Sequence, residues 1–432
     1  MDNTLTYEPP KWYPLDVAGT IYPSSRTRRW NSNYRIAFLL KEDIDPARLR
    51  AALADMHKRF PSFFAGVRRG IFWYYLERMD NLDIVFPETA YPCRSVNIYS
   101  KTTPALRIFY DRKRLSLEIS HCLADGGATL SLIKTLLARY LELGGTEIQP
   151  GNGIMDITEP IKPGEFSDAY REHYTKHAPK YPAESKAWQY RPPVTKNYFK
   201  MVHATIPAKE LLPLAKSRGM SLTDFLTGAY LYAFYQANPD ARSSRKPIKI
   251  QVPVSLRNLY PTESLRNFSL FANVGFYPRA KERFRFDDIL EAVKGQLEIA
   301  KSKEEMHKLL CQNVSLIRNP FIRIAPNVLK RQVLRIAFIL GEHNQTSILS
   351  NLGRLNLPPC LAEHVDTVEV LMGGSPQMKL TLGVVSDDQY VHLYFTGTSQ
   401  KTDVQRTMIR LLTEEGVRMR VESNIREGDD LI

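Results

Sequence analysis

A chain of 432 residues is too long for one ordinary core and implies two domains or subdomains. A hydrophobic share of 43% and a charged share of 24% describe a soluble globular protein, and no run of about 18 apolar residues is present to cross a membrane. The net charge of +13 calls for an anionic partner: nucleic acid, a membrane surface, a phosphorylated cofactor or an acidic protein. No nucleic-acid motif is evident, and the aromatics are not interleaved with basic residues as base stacking requires. The N-terminus "MDNTLTYEPPKWYPLD" lacks the basic and apolar regions of a secretory signal. Cys93, Cys122, Cys311 and Cys360 lie far apart without metal spacing, so neither a zinc site nor a disulfide framework is expected. A reducing cytoplasm is the expected location.

In chain order, "NYRIAFLLK" reads as a strand and "DPARLRAALADMHKRFP" as an amphipathic helix, with Asp45 as N-cap and Pro46 at its first position. "FFAGVRRGIFWYYLER" reads as strand, turn, strand. "ALRIFY" and "RLSLEIS" are two further strands joined by the charged turn "DRKR". A helix follows over about 128–143, with Leu130, Ile133, Leu137 and Leu141 at helical spacing and Gly144 and Gly145 as its stop. Proline, glycine, tyrosine and lysine then dominate, with one helix expected at "GEFSDAYREHYTKH". This gives a first half over 1–150, a linker or crossing segment over 151–195 and a second half over 196–432. The second half opens with the strand "YFKMVHATIP" and the helix "PAKELLPLAKSRG". The helix "SLTDFLTGAYLYAFYQAN" follows, with Ser221 as N-cap and Asp224 in the capping-box position. The strand "PIKIQVPVSLRN", a helix over about 287–303 and the strands "TSILSNLG", "VDTVEVLM", "MKLTLGVVS" and "YVHLYFTG" complete the pattern before a last helix.

One stretch carries the candidate chemistry. In "RLSLEISHCLADGG", Leu115, Leu117 and Ile119 share a strand face, and His121 has the same parity. An inward imidazole is either a satisfied core histidine or a general base held in a partly dry site. Asp125, in the turn that follows, is either a helix N-cap or a carboxylate that pairs with a distant cation and fixes the histidine. Gly126 and Gly127 are read as permitting a tight or left-handed backbone. Cys122 falls on the opposite face and reads as a buried filler rather than a nucleophile.

"HCLADGG" resembles the H-x-x-x-D-G signature of the chloramphenicol acetyltransferase-like acyltransferases. That superfamily takes in alcohol acetyltransferases, BAHD-type plant enzymes, polyketide-associated acyltransferases and peptide-synthetase condensation domains. "GMSLTDFLTGAYLYAF", "VPVSLRNLYP" and "SNLG" resemble its later segments in order, so the resemblance covers most of the chain. Ser120 stands where condensation domains usually carry a second histidine, and no D-F-G-W-G is present. The closest likeness is therefore to bacterial alcohol-acetyltransferase-like proteins. The resemblance implies an α/β fold of two similar subdomains, each a mixed β-sheet with flanking helices, and a tunnel between them. His121 would take a proton from a hydroxyl or amine that attacks a thioester, with no covalent acyl-enzyme. Asp125 would pair with Arg257, Gly126 would complete the motif, and Ser350 and Asn351 are candidates for holding the oxyanion. No bound cofactor or metal is implied. Acyl-CoA, or an acyl-phosphopantetheine on an acidic acyl carrier protein, would be the co-substrate, with a small alcohol or amine as acceptor. A condensation-type enzyme and a non-catalytic binding protein are the rival readings. The aromatic-rich segment from Tyr170 to Tyr198 is a candidate cover for the acceptor entrance.

From 306 to 341 the chain has no acidic residue, while Lys308, Arg318, Arg323, Lys330, Arg331 and Arg335 fall inside it. This suits a solvated basic face, the rim of a tunnel for CoA or a carrier protein, or peripheral membrane contact through "PNVLKRQVLRIAFIL". The same stretch equally reads as a core helix with a basic edge.

Overall fold

The computed structural model describes residues 7–27, 32–89, 91–195, 199–280, 283–375 and 377–424. The local signals that set helix starts act as expected. The Asp45 side chain accepts from the backbone N–H groups of Ala47 and Arg48, with Pro46 at the first helical position of Pro46–Arg59. Ser221 and Asp224 form a reciprocal capping box at the start of Leu222–Ala237.

Two mixed sheets organise these elements. The first runs in the order Val365–Met372, Asn33–Leu40, Arg114–Ser120, Leu106–Asp111, Val85–Pro87, antiparallel except for its last pair. The helices Pro46–Arg59 and Gly126–Glu142 cover it, and Phe38, Leu53, Leu117 and Leu136 meet in its core. The second has seven strands: Ser269–Phe276, Ile248–Ser255, Ser347–Arg354, Leu380–Ser386, Tyr390–Gly397, Lys200–Pro207 and Arg420–Ser423. Ser347–Arg354 is parallel to both neighbours, and the remaining pairs are antiparallel. Its core joins Ala204, Leu231, Ile250, Leu382 and Met408. A small sheet of Trp12–Pro14, Tyr74–Arg78 and Ala65–Arg69 stands apart.

The strand Val365–Met372 links the halves. It comes late in the chain yet forms an edge of the first sheet, with Val370 opposite Ile36. The second sheet presses on it. The Tyr394 hydroxyl donates to the Val368 carbonyl at 3.0 Å. A Cβ on Gly383 would come within 2.7 Å of the Val370 oxygen, so glycine alone permits that approach.

Two expectations need correction, and one strand was not anticipated. The helix over 287–303 is broken into Phe286–Val293, Gln296–Ala300 and the start of Lys303–Arg318, because Gly295 adopts φ +76°. "GEFSDAYREHYTKH" forms only a 3₁₀ turn, Pro163–Phe166, and one helical turn, Ala169–Glu172. Ala169 and Tyr170 are buried, but Arg171, Glu172, Thr175 and Lys176 face solvent, too narrow an apolar stripe to sustain more turns. Ser269–Phe276 is a strand that the sequence reading passed over; it pairs antiparallel with Ile248–Ser255.

Candidate active site

The strand Arg114–Ser120 buries Leu115, Leu117 and Ile119 in the first core and delivers His121 just past its end. The His121 N–H donates to the Ser32 carbonyl at 2.9 Å. Its ring lies between Tyr22 and Tyr34, with centroids 5.3 and 4.3 Å away. Tyr34 is itself fixed: its hydroxyl donates to the Ala124 carbonyl at 3.0 Å and pairs with the Thr129 hydroxyl at 2.6 Å. Burial drives the imidazole pKa down to about 4, against the opposing pull of Asp125, Asn267 and the Ala124 backbone. The ring is therefore neutral at physiological pH. It lines a cavity of about 290 Å³ between the two sheets, with Gln251, Ile348 and Thr381 from the second sheet on the far wall.

Asp125 satisfies both of its sequence readings at once, because its two oxygens divide the work. Oδ1 accepts from the Ala128 N–H at 3.0 Å and caps the helix Gly126–Glu142. Oδ2 accepts from Arg257 Nη1 at 2.6 Å and from the Phe268 N–H at 2.7 Å. Arg257 also donates to the Ser264 carbonyl at 3.2 Å. Asn267 completes the tie, its Nδ2 donating to the His121 carbonyl at 2.8 Å and to Asp16 Oδ2 at 2.9 Å. The segment from Arg257 to Phe268, in the second half of the chain, thus clamps the histidine turn of the first half.

Of the tight or left-handed backbone that Gly126 and Gly127 would permit, neither takes the left-handed form; they are the first two residues of the helix. The reason for glycine at 126 is a close approach. A Cβ there would lie 3.1 Å from Leu352 Cδ2, across the seam between the halves. Cys122 is fully buried, and burial pushes its thiol up to about 12, far from a nucleophile's range.

The two oxyanion candidates part company. Along Ser347–Arg354, Ser350 lies between Ile348, which lines the cavity, and Leu352, which meets Gly126, on one strand face. Asn351 has the opposite parity. Its Nδ2 donates to Thr223 Oγ1 at 2.9 Å and its Oδ1 accepts from the Gly353 N–H, so its side chain is committed away from the cavity. Among the described residues of the Tyr170–Tyr198 segment none lines the cavity; Tyr170, Trp188 and Tyr190 are buried in cores, and Tyr198 lies outside the described residues.

Sequence reading missed the cavity's cap and its carboxyl group. The cap is the helix Asn327–Glu342, which turns Ala337, Phe338, Gly341 and Glu342 inward. Glu342 is 4% exposed, and neither carboxyl oxygen has a partner at hydrogen-bonding geometry. Burial raises its pKa to about 7, opposed by Ser375 and Lys379 nearby. A glutamate closing an apolar-periodic helix carries no sequence mark of such burial.

No family model and no curated protein matches the sequence. Solved structures do match its architecture. Polyketide synthase associated protein 5 from Mycobacterium tuberculosis aligns over 93% of this chain and 96% of its own, at TM-score 0.58 and 14% identity. The trichothecene 15-O-acetyltransferase of Fusarium sporotrichioides aligns over 93% and 94%, at 0.58 and 11%. The first condensation domain of the CDA synthetase aligns over 93% and 95%, at 0.58 and 12%. The mixed sheets, their flanking helices and the full-length alignments together show that the chain has the fold these three structures share.

Proposed function

We propose that this protein is an acyltransferase that moves an acyl group from a thioester, acyl-CoA foremost, to a hydroxyl or amine. The observation that carries this reading is the neutral His121, held between Tyr22 and Tyr34 and opening onto a cavity between the two halves. A neutral ring nitrogen accepts the acceptor's proton as its oxygen or nitrogen attacks the thioester carbonyl. The C–S bond then breaks, and the proton returns from the imidazolium to the departing thiolate. Asp125 is hydrogen-bonded to the Ala128 and Phe268 backbone and to Arg257, so it orients the turn and does not receive the proton. The tetrahedral oxyanion needs a donor, and Ser350, which shares a strand face with the cavity-lining Ile348 but does not itself line the cavity, is the candidate. This sequence of steps uses no covalent acyl-enzyme, and Cys122, the neighbouring thiol, is held protonated by burial.

The test is thiol release from acyl-CoA esters of graded length, assayed with a panel of alcohols and amines. Release that depends on acceptor and disappears in His121→Ala supports the reading. Release only from carrier-protein thioesters would move the protein to condensation-type chemistry. No release from any thioester, with His121→Ala cells indistinguishable from wild type, would leave a binding protein on this fold.

A further inference from the structure

The helix Asn327–Glu342 has two faces of opposite character. Its inner face closes the His121 cavity. On the side turned away, Leu329, Val333, Ile336 and Leu340 recur at helical spacing and stand 50 to 62% exposed. A stripe of this composition ordinarily packs into a core, and here none of the described residues covers it.

The stripe is part of a larger surface. Just before the helix, Phe321 and Ile324 project into solvent on the short helix Pro320–Ile324. The hairpin between Ala65–Arg69 and Tyr74–Arg78 adds Ile71 and Phe72 at its tip. That hairpin is joined to the helix start: the Asn327 N–H donates to the Ile71 carbonyl at 2.8 Å, and the Lys330 ammonium sits 3.5 Å from the centroid of the Trp73 ring. Isolated exposed apolar side chains are common on proteins, but a continuous set of this size marks a contact surface.

Charge selects the occupant. The exposed cations around this surface are Arg318 and Arg323 beside the short helix and Arg331 and Arg335 on the polar side of the long one, and no acid occurs between 306 and 341. A second copy of the chain would set arginine against arginine. An anionic bilayer complements both features, since apolar side chains enter the acyl region while guanidinium groups stay with the phosphates.

We propose that this face seats the protein on anionic phospholipid surfaces, with the helix Asn327–Glu342 lying in the interface. The helix is about 10 Å thick. Seated this way, it is the layer between lipid and cavity, which fits a donor or acceptor that partitions into membranes. That substrate consequence rests on the acyltransfer reading; the docking itself does not.

Flotation of the full-length protein with vesicles tests it. Vesicles of phosphatidylcholine with phosphatidylglycerol should carry the protein upward, and salt should weaken this. Phosphatidylcholine alone should carry much less. The double variant L329S/I336S should lower partitioning by roughly tenfold or more while keeping the wild-type melting temperature. R331Q/R335Q should lower partitioning onto the anionic vesicles only. Failure of the wild type to float, or equal flotation of L329S/I336S, overturns the proposal. A concentration-dependent dimer abolished by L329S/I336S, with no flotation, assigns the face to a second copy instead and overturns it too. Flotation without thiol release would sink the acyltransfer reading alone, and thiol release without flotation would sink the docking alone.

Discussion

The two walls of the His121 cavity are built to different standards. The histidine wall is over-determined. Tyr22 and Tyr34 hold the ring, Asn267 holds its carbonyl, and Asp125 is held by three donors from two halves of the chain. The opposite side joins residues of the second sheet, Gln251, Ile348 and Thr381, to a capping helix whose outer stripe is exposed among the described residues and whose start is pinned to a hairpin. The proposed base belongs to the firmly tied part of the molecule, and the cap to a part with fewer ties among the described residues. Reactivity and access are thus assigned to separate elements.

Removing the base should produce the largest effect. His121→Ala is expected to lower acyl transfer by about 10² to 10⁴ while the thermal melt changes little. The wild-type rate should hold from neutral pH down to about pH 5, since the ring protonates only near 4. An acidic limb centred near 6.5 would show that the ring is not shielded as the structure has it.

The clamp comes next. Arg257→Ala leaves the Asp125 carboxylate buried without its cation and should cost about 2 to 4 kcal/mol, read as a denaturation midpoint. Asp125→Asn can keep the helix cap through Oδ1, but its amide nitrogen then faces the Arg257 and Phe268 donors that Oδ2 accepted from, so it should cost about as much stability as Arg257→Ala and cut turnover as well. If both variants are as stable and active as wild type, the histidine wall is no firmer than the cap.

On the cap itself, Glu342 gives a test with a defined sign. Its carboxyl titrates at about 7 in the folded protein against an ordinary 4.5. Between those values the native state holds more protons than the unfolded one, so stability falls as pH rises through that window. Glu342→Gln lacks this slope. It should match wild type near pH 4 and exceed it at about pH 8, by up to about 3 kcal/mol in urea melts. Parallel stability curves for the two proteins would show that the carboxyl is hydrated.

The smallest effect is expected at the seam. Gly126→Ala pushes a methyl toward Leu352 Cδ2, the end of a flexible side chain, and should shift stability by no more than about 1 kcal/mol. A larger loss in the melt would mean that the seam is as unyielding as the clamp.

What could be read from the residues alone follows from the range of each interaction. Asp45 with Pro46, and Ser221 with Asp224, act within one helical turn, so their roles were visible in a few letters. His121 and Asp125 were visible because strand parity and a turn are local too. The membership of Val365–Met372 in the first sheet was not visible, since its partner lies over 300 positions earlier and any apolar strand would satisfy the pattern. Glu342 and the exposed stripe were hidden for another reason. Helical periodicity separates two faces but does not say which one meets protein. "NVLKRQVLRIAFILGE" has the same letters whether its leucines are buried or bare.

The clamp from Arg257 to Phe268 has a consequence for modularity. The six-residue motif lies wholly in the first half, yet Arg257, Asn267 and Phe268, three of the groups that steady it, arrive from beyond residue 256. The motif is therefore not portable. Grafted into another scaffold, or expressed on a fragment that ends before the second sheet, it would carry an aspartate with no cation and a histidine with no far wall. Duplication of one sheet-and-helix unit would not have yielded a working site until the two units met across this loop. The smallest heritable unit of the proposed chemistry is the whole chain.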